Sequence, residues 1–292
     1  MQYLLILGAD ALLAMCFAFQ KKYQSIAGTS ARATLIFNAF AGLATLVIFS
    51  LLNICGVYEL QFSLFSAVMA TLVTSLCLSY MVLGFKLLRA GNMQLYTMFL
   101  MTGGMLVPHF FGLAFLDEKF SVLRLFGVVL IVAAVVISNT GALKPTKGQI
   151  LMCVAVFILN GFTSVTSKLH QIGTVYNPVN TESFVFIMAI AKIVLCFPIA
   201  VILSKKASEK FGSCISATTI ILFILTAAAD SASSYLQLIG AKSIPAGVLY
   251  PLITAGSIIL SAIAGMIAFR ERPSKNQWLA MIICLAGTCM FI

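Results

Sequence analysis

Three ionisable side chains stand inside long apolar stretches of the sequence: Asp10, Lys192 and Asp230. A charge at membrane depth costs several kcal/mol even on the mildest scales, so such residues mark functional sites by default. Lys192 and Asp230 fall near the middles of two consecutive apolar segments, where they can meet. Pairing offsets much of the desolvation that each bears alone. Two chemistries follow. A fixed bridge holds two helices together, whereas a bridge that a solute or proton can open takes part in a cycle. Asp10 lies one or two turns into the first segment. It reads either as an acid that caps or snorkels at the interface, or as a proton or cation site.

Neutral polar groups add to this set. Asn38 and Asn160 can each donate and accept hydrogen bonds at depth. They should face the interior, as solute contacts or as interhelical bonds. Tyr80 and Tyr235 have the placement of gate residues, and equally of ordinary interfacial tyrosines. His109, next to Pro108, reads as a packing histidine. Pro108, Pro198 and Pro251 sit within apolar segments. Each frees the carbonyl four residues earlier, at Gly104, Val194 and Gly247. Such breaks serve as hinges or line cavities.

The elements that must hold these residues follow from composition. The chain has 292 residues, 61% of them hydrophobic and only 9% charged. A soluble domain carries about 25% charged residues, so neither a soluble globule nor a disordered chain fits. The apolar runs are continuous rather than alternating, which argues against an outer-membrane barrel. Helices that span a bilayer need about 20 apolar residues. Ten such segments are predicted: 3–20, 33–54, 63–85, 92–115, 121–140, 148–168, 182–204, 215–240, 244–269 and 276–292. The first lacks a basic leader region and contains Asp10, so it reads as a retained helix and not a signal peptide. Trp278 reads as an interfacial anchor.

The eight cysteines are scattered singly, without a Cys-x-x-Cys pair, and read as small apolar fillers. No metal cluster and no cofactor are expected. Phosphate-binding glycine loops, His-Glu-x-x-His and Gly-x-Ser-x-Gly are missing from the sequence, as is any cysteine nucleophile in context. The reading is therefore not an enzyme. The net charge of +10 would suggest a nucleic-acid partner in a soluble protein, but its placement argues otherwise. Of 18 basic residues, 13 fall in the odd-numbered connections: Lys21, Lys22, Arg32, Lys86, Arg89, Lys144, Lys147, Lys205, Lys206, Lys210, Arg270, Arg272 and Lys275. Four fall in the even ones: Lys119, Arg124, Lys168 and Lys242. Basic connections face the cytoplasm. This count places both termini outside, in a multi-pass protein of the cell's inner (plasma) membrane. The expected partners are the lipid bilayer and a small-molecule substrate; no nucleic acid is expected, and the oligomeric state is open.

The sequence also repeats. At an offset of 153, Glu118 falls on Glu271, Ser121 on Ser274 and Ala133 on Ala286, while Gly104, Pro108 and Gly112 fall on Ser257, Ser261 and Gly265. With small gaps, Tyr80 and Leu83 match Tyr235 and Leu238, and Lys21 and Gln24 match Lys168 and Gln171. Two five-helix units are expected, 1–143 and 144–292. Five is odd, so the second enters the membrane from the opposite side. The fold expected is thus an all-α integral membrane protein of ten transmembrane helices in two inverted repeats.

The second unit carries Ala246-Gly247, Leu249-Tyr250-Pro251, Ser257, Ser261 and Gly265 on one helix face, then Glu271-Arg272 and Gly287. This pattern resembles the EamA-type branch of the drug/metabolite transporter superfamily. The resemblance implies a central cavity between the halves and movement of small metabolites or drugs by alternating access. In two respects the chain departs from it. Family members often carry Trp-Gly in the first helix of each half, where this chain has Ala14-Met15 and Asn160-Gly161. The commoner family orientation also puts both termini in the cytoplasm, opposite to the charge count. The expected function is a secondary transporter, an exporter with proton coupling as one option. Its substrate-binding or coupling residues would be Asn38, Tyr80, Asn160, Lys192, Asp230 and Tyr235, with Asp10 as the proton or cation site. The alternatives are a channel, for which no ring of charges appears, and an integral membrane enzyme acting on lipid.

Overall fold

The computed structural model describes residues 2–28, 30–89, 93–138, 145–173, 176–206, 215–270 and 273–291. These form ten helices: α1 (Gln2–Ala27), α2 (Ala31–Ile54), α3 (Leu64–Arg89), α4 (Met93–Phe115), α5 (Val122–Ser138), α6 (Lys147–Ile172), α7 (Thr181–Lys206), α8 (Ala217–Ser243), α9 (Ala246–Phe269) and α10 (Lys275–Cys289). Eight of them, all but α5 and α10, are long and apolar enough to cross a membrane. No strand occurs among the described residues. The chain is an all-α, multi-pass membrane protein, as its composition requires.

All ten predicted helices are present, and their ends differ instructively. The apolar run of α1 stops near Gln20, but the helix continues to Ala27. Gln and Lys are good helix formers, so a helix outlasts its apolar segment and carries polar residues into the interface. The same applies to α6, which runs on to Ile172. Starts follow capping chemistry. Ser30 accepts from the Ala33 amide at the head of α2, and capping boxes open α6 (Thr146 with Gln149), α8 (Ser216 with Thr219) and α10 (Ser274 with Gln277). Pro108, Pro198 and Pro251 lie inside α4, α7 and α9.

Packing interleaves the first five helices with the last five. Helix α1 lies on α8 and α9, α6 lies on α3 and α4, α2 pairs with α7, and α5 pairs with α10. One buried cluster draws Ile6, Met105 and Val128 together with Leu249, Ala255 and Cys284. Another joins Tyr23 and Phe37 to Cys196 and Phe223. Where α5 meets α10, Gly127 and Gly287 face one another. A Cβ on either would press on the other's carbonyl oxygen. Close backbone approach of this kind is how membrane helices gain dispersion contact when lipid removes the hydrophobic driving force. The outward surface is apolar, with Leu4, Ile54, Leu151, Val194 and Ile267 all more than 60% exposed. Lipid is the solvent that suits such a surface.

Several residues used in the sequence reading lie outside the described residues: Lys144, Lys210, Cys214 and Glu271-Arg272. Twelve described basic residues sorted into connections lie within helices instead, and eight of them (Lys21, Lys22, Lys86, Arg89, Lys147, Lys205, Lys206 and Lys275) belong to α1, α3, α6, α7 and α10. Lys168, Arg124 and Lys242 belong to helices α6, α5 and α8, and Arg32 lies inside α2. Of these, Lys168 and Arg32 are buried, at 5% and 7% exposure. Their aliphatic stems let them enter the bundle while their charged heads find protein partners.

Candidate functional site

A cavity of roughly 200 Å³ opens between α2, α3, α7 and α8, with Thr163 of α6 on one wall. Lys192 of α7 and Asp230 of α8 meet on its lining, Nζ to Oδ2 at 3.1 Å. Their side chains are 28% and 33% exposed. The pair is therefore accessible from the cavity and not sealed in a helix seam. The surrounding wall is largely apolar, set with hydroxyls from Thr45, Thr74, Ser231 and Ser234. Concave apolar walls carrying a few convergent polar groups are the usual form of a small-molecule site.

Other predicted residues divide between this cavity and the scaffold. Asn38 lines the cavity; its amide donates to the Thr34 carbonyl at 2.8 Å and touches the Met81 sulfur at 3.9 Å. Asn160 is not on the lining. It donates to the Leu100 carbonyl of α4 at 2.7 Å and so makes an interhelical bond. Tyr80 and Tyr235 are not on the lining either. The Tyr80 hydroxyl lies 3.1 Å from the Cys77 sulfur on its own helix. The Tyr235 hydroxyl donates to Glu182 Oε1 at 2.8 Å, joining α8 to α7. Asp10 neither caps nor snorkels. It is 1% exposed, and both carboxyl oxygens lack a hydrogen-bond partner. His109 is a satisfied packing histidine. Its Nδ1 bonds the Gly247 carbonyl at 3.2 Å, the same carbonyl that Pro251 leaves free.

Sequence reasoning missed the sulfur on the cavity wall. Cys77 and Met81 of α3 lie four residues apart, and Met188, Lys192 and Cys196 of α7 follow the same spacing. Helical spacing from Lys192 would have found Met188 and Cys196. It also missed three polar anchors at one end of the bundle. Lys168 donates to the carbonyls of Ala241 and Ile244, at 2.7 and 2.6 Å. Glu118 accepts the amides of Ala246 and Gly247. The cation thus sits on the C-terminal carbonyls of α8 and the anion on the N-terminal amides of α9, each matching its helix dipole. Close by, His170 is fully buried and uses both ring nitrogens, towards Ser66 Oγ at 2.9 Å and Gln171 at 3.0 Å.

His170 belongs to a wider seam. Ser66 also accepts from the Val179 amide at 3.1 Å. The Gln61 amide donates to Ser183 Oγ at 2.9 Å, the Asn180 amide donates to Gln61 Oε1 at 3.0 Å, and the Asn180 side chain donates to the Glu59 carbonyl at 2.8 Å. The α2–α3 connection is in this way fastened to the start of α7, across the end of the bundle that holds the C-termini of α6 and α8.

The model of the EamA-like transporter family matches residues 146–292, half of the chain. The chain belongs to the EamA-like transporter family. Membership makes it a membrane transporter, and the match falls on the half that carries Lys192, Asp230 and the Leu249-Tyr250-Pro251 run. Solved structures are similar as well. One of them, titled "Crystal structure of protein", aligns over 98% of this chain and 96% of its own with a TM-score of 0.75 at 15% sequence identity. That likeness is one of fold. No curated protein matches the chain.

Proposed function

We propose that this EamA-like chain is a secondary exporter of small organic metabolites, working by alternating access in the plasma membrane. The observation that carries the reading is the Lys192–Asp230 pair exposed to a central cavity. The cavity is smaller than the roughly 300–1,000 Å³ of drug-sized sites, which favours a metabolite. Each member of the pair can exchange its partner for an opposite charge on the solute, so a zwitterion such as an amino acid suits the site. Asn38 and the wall hydroxyls supply directional contacts. Tyr80, Asn160 and Tyr235 act from the scaffold, and Tyr235 ties together the two helices that carry the pair.

The two five-helix units, 1–143 and 144–292, act as inverted repeats. Their pairings support this, since α1 on α8 is matched by α6 on α3, and α9 on α1 by α4 on α6. Such symmetry gives two conformations of similar energy, open to opposite faces. The charge count favours both termini outside. The fastened end, with Ser66, His170 and Asn180, is then the closed outer face. The chain contains no nucleotide-binding motif, so a gradient supplies the driving force.

The test is counterflow in proteoliposomes. Purified protein is first screened by thermal shift against amino acids, nucleosides, quaternary amines and sugars, and the best binder is used for exchange. Saturable counterflow that Asp230→Asn abolishes, in a variant that still melts cooperatively, is the expected result. Non-saturating flux would mean a channel, and undiminished exchange by the variant would remove the pair from the mechanism.

A further inference from the structure

The carboxyl of Asp10 is the most isolated polar group among the described residues. It is 1% exposed, and neither oxygen has a partner. It lies in the seam where α1 packs on α8 and α9, and it presses on the backbone of Gly256, where a Cβ would overlap the carboxylate. It is not part of the cavity lining. The ionisable groups of the packed helices are engaged elsewhere: Asp230 with Lys192, Tyr235 with Glu182, and Tyr250 with the Ser164 carbonyl. Lys242 is exposed at the end of α8. On α1 itself, Cys16 and Tyr23 lie further along, and Tyr23 bonds the Ala33 carbonyl. Arg32, at the head of α2, stands by the far end of α1.

An unpaired carboxylate in so dry a place carries the full cost of its charge, whereas the neutral acid loses only hydrogen bonds. We infer that Asp10 is a proton-binding site, protonated in the conformation seen here and emptied when α1 parts from α9. A metal cation fits less well, because hard cations gather about six oxygens and this acid stands alone. The proton therefore does not share the cavity with the solute. The two are linked through the α1–α8 seam. The Ser233 hydroxyl of α8 donates to the Ala9 carbonyl at 2.7 Å, directly beside Asp10 and one turn from Asp230. The inference rests on the transport reading only in giving this proton a use.

The experiment has two readouts on the full chain, and neither needs a known solute. The first is infrared spectroscopy of protein isotope-labelled at aspartate, at about pH 7. A protonated-acid carbonyl band is expected in the wild type and its loss in Asp10→Asn. No such band, or an unchanged band in the variant, overturns the site. The second is the alkylation rate of Cys77 in a variant whose other cysteines are serine, from about pH 5 to about pH 8, normalised at each pH to the unfolded chain. The rate should change about tenfold with pH in that background, a free-energy shift of ~1.4 kcal/mol. Asp10→Asn should flatten the profile, and Asp10→Glu, which keeps the acid, should retain it. A band that Asp10→Asn removes, with superimposable alkylation profiles, would make Asp10 a permanently neutral packing group and overturn its role as a proton carrier. If Asp10→Asn does not fold, Asp10→Glu decides the assignment, since it must take the labelled band away. Failure of the transport reading looks different: solute flux is absent while both Asp10 signals stand.

Discussion

The Lys168 ammonium of α6 reaches the Ile244 carbonyl at 2.6 Å, just beyond the last turn of α8. Glu118, from the α4–α5 connection, holds the amides two and three residues later. The corner between α8 and α9 is thus fixed by side chains from outside both helices. Lys168→Met keeps the stem and removes the charge. It should lower stability by about 2 kcal/mol, the usual range for a hydrogen bond to a charged group with buried acceptors left open. Glu118→Gln should cost somewhat less, because one oxygen remains to accept. Thermal unfolding in detergent measures both, and a change in melting temperature within error for Lys168→Met would rule out the anchor.

The cavity pair makes a prediction about coupling. Removing one partner leaves a charge without its counterion, at a site about one-third exposed to the cavity. Lys192→Ala and Asp230→Ala should each lose about 1–2 kcal/mol, less than a sealed pair would lose because water reaches the site. The double variant should be more stable than either single one. A double-mutant cycle by thermal or denaturant melting reads this directly, and strict additivity would mean that the two charges do not interact.

The cavity thiols report occupancy. Cys77 and Cys196 lie on the same wall as the ion pair. A bound solute should slow their alkylation several-fold in proportion to its occupancy, while exposed Cys55 and Cys289 react unchanged. Mass spectrometry of the labelled peptides resolves the four sites. Equal protection of all four would point to aggregation, not to a ligand in the cavity.

The fastened end predicts a one-sided phenotype. Ser66→Ala removes the hydroxyl shared by His170 and the Val179 amide. It should speed alkylation of Cys77 from that face by about tenfold, for roughly 1–2 kcal/mol of lost closure. His170→Gln, which can still donate and accept, should have a smaller effect. Labelling sealed vesicles of known orientation with an impermeant reagent tests both, and an unchanged rate for Ser66→Ala would show that the seam does not close the cavity.

Close packing at α5 and α10 predicts intolerance of bulk. Gly127→Val or Gly287→Val would force a branched side chain against the facing backbone. A loss of about 1–3 kcal/mol is expected, with Gly→Ala intermediate. A variant of wild-type stability would mean that the two helices can separate at no cost.

Much of this architecture was legible because a bilayer leaves the chain few choices. Long apolar runs located all ten helices, since each backbone must satisfy its own hydrogen bonds in lipid. The Lys192–Asp230 contact was legible for a similar reason, as a lone charge at depth needs its opposite. Asp10 misled in one respect. Its position near a helix start fits an interfacial acid as well as a buried one, and only the packing of α9 against α1 decides between them. Lys168 was harder to place. A lysine at the end of an apolar run looks like a loop charge, and nothing local says that carbonyls from another helix await it. Asn160 and Tyr235 differ from Asn38 in which neighbour they face, a property of helix rotation that one sequence does not encode.

The interleaving of α1 with α8 and α9 also sets an order of events during synthesis. Helix α1 leaves the ribosome first, but the helices that cover it are among the last to be made. At about 5–20 residues per second, close to 10–40 s separate α1 from α8. Through that interval the Asp10 carboxyl has no α9 to rest against, and it must wait in water, at the lipid interface or with a chaperone. A chain truncated before α8 would keep that acid uncovered permanently.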